Sequence, residues 1–178
     1  MFYHMFKIFK KKSSKEHLLY NNILSLSRNK LFYTEFNIDD TFQNRIYLIF
    51  LHISFLFIKV KSTKDKEKYD VFYQKMFDLI FRKIETNMRE IGYGDTTINK
   101  NMKFLVRVFY NILLNCEKFS EKTSNDKKIF YYNFLKLKNA DKTTNNSNLV
   151  EYFNKYQSFC FDLSVDSVLK GDLNFKYK

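Results

Sequence analysis

The sequence predicts an all-α fold, a single irregular bundle of about six helices. Apolar residues recur at three- and four-residue steps along most of the chain, which is typical of amphipathic helices. No stretch has the sustained alternation of apolar and polar residues that indicates a surface strand. The chain contains no proline and only three glycines, and with 178 residues and 45% hydrophobic content it can bury a core as one domain.

The helices are placed by these periodicities and separated by polar or charged stretches. A basic tail is expected over 1–14 and one helical domain over 15–178. The helices are expected over about 15–28, 46–60, 69–91, 95–119, 127–137 and 149–161, with a last turn at 165–170 that stops at Gly171. The connections are expected at 29–40, 59–68, 120–126 and 139–148. Three aromatic side chains are expected to pack the first connection against the domain, namely Phe32, Tyr33 and Phe36.

The tail combines apolar residues with Lys7 and the run Lys10, Lys11 and Lys12. It lacks the long apolar core that precedes the cleavage site of a secretory signal. It is therefore expected to be either a short amphipathic segment that contacts membranes or a frayed end.

Two helix starts are predicted from side-chain type and spacing. Ser13 and Glu16 have the spacing of a capping box, in which a hydroxyl and a carboxylate satisfy each other's backbone N–H groups. Asp39 or Asp40 is expected to cap the next helix, with Gln43 as its capping-box partner. Both predictions rest on local sequence alone.

The most hydrophobic stretch of the chain, 46–60, is expected to be the central core helix. A membrane-spanning helix needs about 20 apolar residues, and this run is shorter and bracketed by Arg45 and Lys59. A membrane span is the alternative, but His52 and Ser54 inside the run disfavour it. A buried His52 needs a hydrogen-bond partner, and a satisfied core histidine is favoured over a ligand or a switch.

A tight helix–helix corner is predicted at Gly92 and Gly94. Gly92 stands where a helix ends on a left-handed residue, a conformation that glycine adopts without strain. Asp95, Thr96 or Thr97 is expected to cap the next helix. The apolar face before the corner is Tyr69, Phe72, Tyr73, Met76, Ile80, Ile84, Met88 and Ile91. The face after it is Ile98, Met102, Leu105, Val106, Phe109 and Leu113.

Charged side chains around the corner have two interpretations. Asp78 with Arg82 and Glu85 with Arg89 are i,i+4 pairs, which usually form a solvated face of little energetic weight. Alternatively, Arg89, Glu90 and Asp95 brace the corner through hydrogen bonds, with Arg45 joining them across the bundle. In that case these positions are structural.

Lys100, Lys103 and Arg107 form a basic stripe at the start of the helix after the corner. Such a stripe is usually a solvated surface. The neighbouring Tyr93 and Asn99 give it the mixed character of a surface that could meet phosphate or an acidic peptide. The sequence has no recognition-helix or RNA-binding signature, so sequence-specific nucleic-acid binding is not expected.

Catalytic and metal-binding motifs are missing from the sequence. It has no HExxH, no paired CxxC, no nucleophile elbow and no phosphate loop. The two cysteines, Cys116 and Cys160, are too few for a disulfide framework and are expected to be buried thiols in a reducing compartment. No cofactor, metal or enzymatic activity is expected.

The run Arg89-Glu90-Ile91-Gly92-Tyr93-Gly94-Asp95, with Lys100 and Lys103 behind it, resembles the ubiquinol–cytochrome c chaperone family. The resemblance covers about 18–119. Within that range, a glycine often precedes the family arginine that matches Arg45, whereas this chain has Asn44. Three further pieces match in the same order: Leu19-Tyr20 with Phe32-Tyr33; Asp40-Thr41 with Arg45 and His52; and Val108-Phe109-Tyr110.

This resemblance implies a function and its partners. The family comprises bacterial proteins and mitochondrial assembly factors for respiratory complex III. Its members help newly made cytochrome b reach complex III. Mitochondrial relatives are associated with the ribosomal exit tunnel and act with a small helical partner. The expectation is a non-enzymatic chaperone for cytochrome b, peripheral to the inner membrane on its cytoplasmic side, or on the matrix side in an organelle.

The net charge of +12 supports an alternative of another class. A strongly positive surface favours anionic membranes or ribosomal RNA. The alternative function is therefore a basic membrane- or ribosome-binding module unrelated to complex III. An enzyme is the third possibility, and it would need a polar pocket with convergent titratable groups.

Overall fold

The computed structural model describes residues 14–138 and 147–177, and the prediction of an all-α fold is confirmed over these residues. The six predicted helices correspond to the six helices of 11 residues or more within these described ranges. The helices are α1 (Lys15–Ser27), α2 (Leu31–Thr34), α3 (Phe42–Lys61), α4 (Lys66–Glu90), α5 (Asp95–Glu117), α6 (Ser124–Phe134), α7 (Ser147–Asp162) and α8 (Val165–Lys170). A 3-10 turn, Phe119–Glu121, joins α5 to α6. The predicted tail, apart from residue 14, and most of the predicted loop at 139–148 lie outside the described residues.

The helix α3 is the centre of the bundle. It contacts α1, α4, α5, α7 and α8, and its residues from Ile46 to Phe57 are all buried. Burial on every side explains its nearly continuous hydrophobic sequence. Within the described ranges, no helix is long and apolar enough to cross a membrane. The prediction of a buried central helix is therefore confirmed.

Aromatic side chains fill the space on both sides of α3. On the side of α4 and α5, the Phe50 ring lies 5.6 Å from Phe81 and 5.2 Å from Phe109 between centroids. On the side of α6 and α7, the Phe55 ring lies 5.2 Å from Phe119 and 6.3 Å from Phe153. Each large apolar side chain that is fully buried stabilises the fold by roughly 1.5–3 kcal/mol, so these rings fix where α3 sits.

Most of the predicted apolar faces of α4 and α5 point into the core. The helical spacing correctly identified Phe72, Met76, Ile80, Ile84 and Met88 as buried. It also identified Ile98, Leu105 and Phe109 on α5, while Met102, Val106 and Leu113 are half-buried. Ile91 is the exception: it follows the last turn of α4 and is 56% exposed.

Both predicted caps at the first helices are wrong by one or two residues. Ser14, whose Oγ accepts from the His17 N–H, caps α1 in place of Ser13, which lies outside the described residues. Thr41 caps α3 in place of Asp39 or Asp40, because its backbone is extended and its Oγ1 accepts from the Asn44 N–H at 3.1 Å.

The residues around the start of α3 are engaged elsewhere. The Gln43 side chain, predicted as a capping partner, donates instead to the Tyr47 hydroxyl. The buried Asn44 joins two parts of the chain: its Nδ2 donates to the Asp39 and Lys136 carbonyls at 2.8 Å, and its Oδ1 accepts from the Lys136 N–H. The Asn44 side chain therefore ties the start of α3 to the segment that follows α6.

The connector before α3 is packed as predicted, although it contains the short helix α2, which the sequence analysis missed. Phe32 and Phe36 are buried and Tyr33 is half-buried. An isolated antiparallel bridge joins Ile38 to Leu137. The predicted charged loop is also shorter than expected, because α3 continues to Lys61 and α4 begins at Lys66.

The second half of the chain follows the prediction with shifted boundaries. A capping box between Thr123 and Asp126 starts α6 three residues earlier than predicted. The last helix, α8, stops at Gly171 as predicted, with a φ of +84°. A Cβ on Gly171 would lie 2.9 Å from the Lys15 carbonyl oxygen, so glycine is required there for space as well as for conformation. Both cysteines are buried free thiols.

Candidate functional site

The corner between α4 and α5 is closed by backbone hydrogen bonds around Gly92. Gly92 has a φ of +92°, its N–H donates to the Arg89 carbonyl, and the Tyr93 N–H donates to the Met88 carbonyl, both at 3.0 Å. These are the two bonds of a Schellman motif. Gly94 then caps α5 through its backbone alone, so the predicted side-chain cap from Asp95, Thr96 or Thr97 is wrong.

Asp95 instead forms an ion pair across the corner. The Arg89 guanidinium contacts the Asp95 carboxylate at 2.5 Å and the Glu85 carboxylate at 2.9 Å. The hydrogen bonds to Glu85 and Asp95 raise the pKa of Arg89. The side chains of Arg89 and Asp95 are 52% and 77% exposed, so water screens both pairs and their contribution to stability is small.

Three of the other charged residues expected at the corner are not part of it. Glu90 is exposed and forms no ion pair with a described residue. Asp78 accepts from Gln74 rather than pairing with Arg82. Arg45 contacts Asp40 through two nitrogens, at 2.6 and 2.8 Å. The expectation that Arg45 joins the corner across the bundle is therefore wrong.

The Arg45 pair forms its own small cluster at the start of α3. The guanidinium lies 5.9 Å from the centroid of the Tyr33 ring, and its hydrogen bonds lower the pKa of Asp40. The partner comes from the residues just before the helix, only five positions away. Arg45 thus pins the connector onto α3 rather than reaching the corner.

His52 is a fully buried histidine with both ring nitrogens satisfied. Nδ1 lies 2.6 Å from the Leu48 carbonyl oxygen and Nε2 lies 2.8 Å from the Tyr152 hydroxyl. A carbonyl can only accept, so Nδ1 carries the proton and Nε2 accepts from the hydroxyl. The Tyr156 hydroxyl donates to the His52 carbonyl. Burial lowers the pKa of His52 to about 4, so the ring is neutral at physiological pH.

The tyrosines that hold His52 come from α7 and were missed by the sequence analysis. Tyr152 and Tyr156 are 100 and 104 positions away in the chain. Their spacing of four residues places them on one face of α7, but nothing in their local sequence indicates this partner. His52 is the satisfied core histidine that was expected, and it joins α3 to α7.

An open depression lies beside the corner, and we call it the corner depression. It has a volume of about 150 Å³, comparable to an engineered apolar cavity that binds benzene. Tyr93 and Phe104 stand at it with 43% and 46% of their surface exposed. The lining residues are Phe42, Gln43, Ile46, Met88, Tyr93, Asn101, Phe104 and Leu105.

Among the residues that line this depression, only Tyr93 was predicted as part of a functional surface, whereas Met88 and Leu105 were predicted as core-facing residues. Phe42 and Ile46 come from the start of α3, whereas Phe104 and Leu105 come from α5. Their meeting is a consequence of tertiary packing. A useful sequence signal would have been Phe104 itself, a large apolar residue among the lysines of the polar face of α5.

The basic stripe of α5 is next to the depression in sequence, since Lys100 and Lys103 directly precede the lining residues Asn101 and Phe104. Lys100, Lys103 and Arg107 are exposed, and none forms an ion pair with a described residue. Unpaired cations beside an apolar depression attract anionic groups while the depression takes an apolar one. Within the described part of the chain, no three His, Cys, Asp or Glu side chains are placed to hold a metal ion.

These features define a class of protein: a basic helical domain whose exposed apolar and cationic surface suits it to binding another macromolecule. The family model described as Ubiquinol-cytochrome C chaperone matches residues 34–175. The chain therefore belongs to the ubiquinol–cytochrome c chaperone family. The matched range begins later than the expected 18–119 and extends beyond it, to the segment after α8.

A solved structure is similar over nearly the whole chain. The crystal structure of the Cbp3 homolog from Brucella abortus superimposes with a TM-score of 0.77 and 21% sequence identity, covering 91% of this chain and 88% of that one. At this identity the similarity establishes a common fold. A search of curated proteins finds no significant match.

Proposed function

We propose that this protein is a non-enzymatic assembly chaperone that holds cytochrome b during the biogenesis of ubiquinol–cytochrome c reductase, respiratory complex III. The observation that carries the proposal is the family match over 34–175, which includes the corner and the helix α5. Cytochrome b is the client that the family resemblance implies.

The corner depression is the surface that we assign to the client. A hydrophobic client exposes apolar side chains before it reaches its final partners, and a chaperone must cover them reversibly. The depression has room for one large side chain, whose burial would contribute roughly 1.5–3 kcal/mol. Tyr93 and Phe104 are exposed at its edge and can pack on either side of that group. A few such contacts give a complex that forms and dissociates readily.

The charge of the protein supports a location next to an anionic surface. With a net charge of +12, the chain is attracted to anionic lipids and to ribosomal RNA. We place it at the cytoplasmic face of an energy-transducing membrane, or at the matrix face in an organelle. There it could receive cytochrome b from a ribosome, together with a small helical co-chaperone.

Photocrosslinking in cells tests the client assignment. A photoreactive residue is placed at Tyr93 or at Lys103, and captured partners are identified by mass spectrometry. Val71 is the matched control, because it is similarly exposed, at 49%, but lies at the opposite end of α4. Cytochrome b captured from the corner and not from Val71 supports the proposal. Capture of only ribosomal proteins or lipid contradicts it.

The second candidate is a basic module that binds membranes or ribosomes without a role in complex III. Its support is the set of exposed cations on α5, which lack ion pairs among the described residues. Binding of this kind weakens steeply as salt concentration rises. Salt-sensitive flotation with anionic vesicles, combined with normal complex III in cells that lack the protein, would favour this function.

A further inference from the structure

The corner depression is one end of a longer feature on α5. A second open depression, with a volume of about 660 Å³, lies towards the other end of the helix, and we call it the distal depression. The corner depression is lined by Asn101, Phe104 and Leu105 of α5. The distal depression is lined by Asn111 and Asn115 of α5 and by Lys118, the residue that caps its end. The successive spacings of three, one, six, four and three residues keep all six positions on one broad face of the helix.

The two depressions are joined through Tyr47 of α3. The Tyr47 hydroxyl accepts from the side chain of Gln43, which lines the corner depression. The Tyr47 ring lies 6.5 Å from the ring of Phe134, which lines the distal depression. Because one buried residue contacts the lining of both, the two depressions lie next to each other along α5, and we treat them as two sections of one groove. We call it the α5 groove.

The α5 groove has the length and walls of a site for a helix. From Asn101 to Lys118 it follows α5 for about 26 Å at a rise of 1.5 Å per residue, or nearly five helical turns. The opposite wall is the start of α3 at one end and α6 at the other. Phe104 and Ile129 remain 46% and 49% exposed along it. A helix can contact such walls with its side chains and needs no backbone pairing.

The two ends of the groove differ in polarity. Aliphatic side chains, including Ile46, Met88 and Leu105, line the corner end. These suit an aliphatic or phenyl group. The amides in the same lining are Asn101 and Gln43, and the Gln43 side chain is bonded to Tyr47. At the distal end, the amides of Asn111, Asn115 and Asn133 line the depression, and that of Asn115 is already bonded to Asn111 and Lys122.

A line of cations follows the α5 side of the groove. Lys100, Arg107 and Lys118 are separated by seven and eleven residues, close to whole numbers of helical turns, so they share one line along α5. All three are exposed, and no described residue forms an ion pair with them. Two carboxylates, Glu121 and Asp126, also line the distal end, but Asp126 is already bonded to Thr123 in the capping box.

We propose that the α5 groove binds one amphipathic helix of a partner protein, with an apolar side chain in the corner depression and carboxylates facing Lys100, Arg107 and Lys118. The apolar side chains of the bound helix lie at the corner end of the groove, and its polar side chains meet the asparagines at the distal end. The proposal rests on the proposed function, since the corner depression belongs to both, and it defines the class of segment that the site recognises.

The test uses labelled peptides and the purified chain. Three helical peptides of about 20 residues are compared by fluorescence anisotropy. The first has leucines at helical spacing and glutamates along one flank. The second carries lysines in place of the glutamates. The third keeps the glutamates but has glutamine at the anchoring leucine. We expect the first peptide to bind about tenfold more tightly than either of the others, a factor that 1.4 kcal/mol produces.

Two groove variants and one control locate the binding. Phe104→Asp alters an exposed side chain at the apolar end, and the double variant K100E/R107E reverses two of the cations. Each variant is expected to bind the first peptide about tenfold more weakly than the wild type does. The control K64E/K66E reverses two exposed lysines at the start of α4, far along the chain from the groove. It matches the charge change and is expected to leave peptide affinity unchanged.

The outcomes separate the groove from the client assignment. If the first peptide fails to bind, or binds equally to wild type, Phe104→Asp and K100E/R107E, the helix proposal is overturned. The same holds if K100E/R107E weakens only the binding of a single-stranded RNA, because the cations would then serve a nucleic acid. Capture of cytochrome b from Tyr93 in cells can still occur in either case, so the proposed function stands or falls separately.

Discussion

The surroundings of His52 and the corner at Gly92 both carry residues that match the family, yet they differ in every physical respect. His52 is buried, each ring nitrogen has a partner, and two tyrosines of another helix enclose it. At the corner, Tyr93, Asp95 and the neighbouring lysines are exposed, and the ion pairs are open to water. The same sequence resemblance thus marks a core-forming region and a surface region.

This difference separates stability from binding. Removing a buried, fully hydrogen-bonded group leaves its partners unpaired in the core, which costs far more than removing a group that water can replace. We therefore expect changes around His52 to alter the free energy of unfolding. Changes at the corner surface should alter partner binding and leave stability nearly unchanged.

The largest effect is expected from His52→Ala. The change creates a cavity and leaves the buried Tyr152 hydroxyl without its acceptor, and we expect a loss of about 3–5 kcal/mol in the free energy of unfolding. Urea unfolding followed by circular dichroism measures it. Tyr152→Phe, which removes only the hydroxyl, should cost about 1–3 kcal/mol. A His52→Ala loss no larger than that of a surface substitution would show that the histidine is not a core element.

A pH dependence should follow from the same histidine. Burial lowers the pKa of His52 to about 4 in the folded state, whereas an unfolded histidine has a pKa of about 6.5. Between these values the unfolded chain binds a proton that the folded chain does not. The free energy of unfolding should therefore fall as pH drops from about 6.5 to about 4, by up to 1.4 kcal/mol per pH unit.

The pH dependence is measured as the difference between wild type and His52→Gln, because carboxylates titrate near the lower end of this range in both proteins. The difference should grow as pH rises from about 4 to about 6.5 and level off above it. Parallel curves for the two proteins would contradict the account of a neutral buried ring.

A smaller effect on stability is expected from Gly92→Ala. The φ of +92° forces alanine into a strained backbone, at a cost of about 1–2 kcal/mol, although no atom lies within 4 Å of the added Cβ. Gly94 is the matched control, since it is equally open but has a φ of −75°. Gly94→Ala should cost only about 0.5 kcal/mol. If Gly92→Ala and Gly94→Ala lose the same free energy of unfolding in urea, the backbone at Gly92 is not strained by a side chain.

The smallest effect is expected from breaking the ion pair across the corner. Because Arg89 and Asp95 are both largely exposed, Asp95→Ala should leave the urea midpoint within the error of the wild-type value at ordinary salt. Arg89→Ala should behave in the same way. A clear loss of stability from either substitution would mean that the pair braces the corner more strongly than its exposure allows.

The features that the sequence predicted correctly are those that depend on neighbouring residues. The faces of α4 and α5 follow from helical spacing. Gly92 and Gly171 follow from the need for a left-handed residue after a helix. The burial of α3 on every side follows from its nearly unbroken apolar sequence. Each of these depends on interactions within a few turns, which a local pattern records.

The errors arise where two local choices compete or where partners are distant. Thr41 caps α3 instead of Asp39 or Asp40 because its backbone is extended and its hydroxyl accepts from the Asn44 N–H. Sequence spacing alone does not distinguish these three candidates. The hydrogen bond of His52 to Tyr152 spans 100 residues. The corner depression also brings α3 to α5, so its lining could not be predicted from the corner motif alone.

We propose that the corner surface, and not the core around His52, performs the binding. The most direct measurement is the amount of cytochrome b that co-purifies with the Tyr93→Ala/Phe104→Ala variant, relative to a Val71→Ala/Tyr132→Ala control with similarly exposed side chains. Both proteins are first matched for urea midpoint and cellular level. We expect about tenfold less cytochrome b with the corner variant only. Equal recovery from both variants would contradict it.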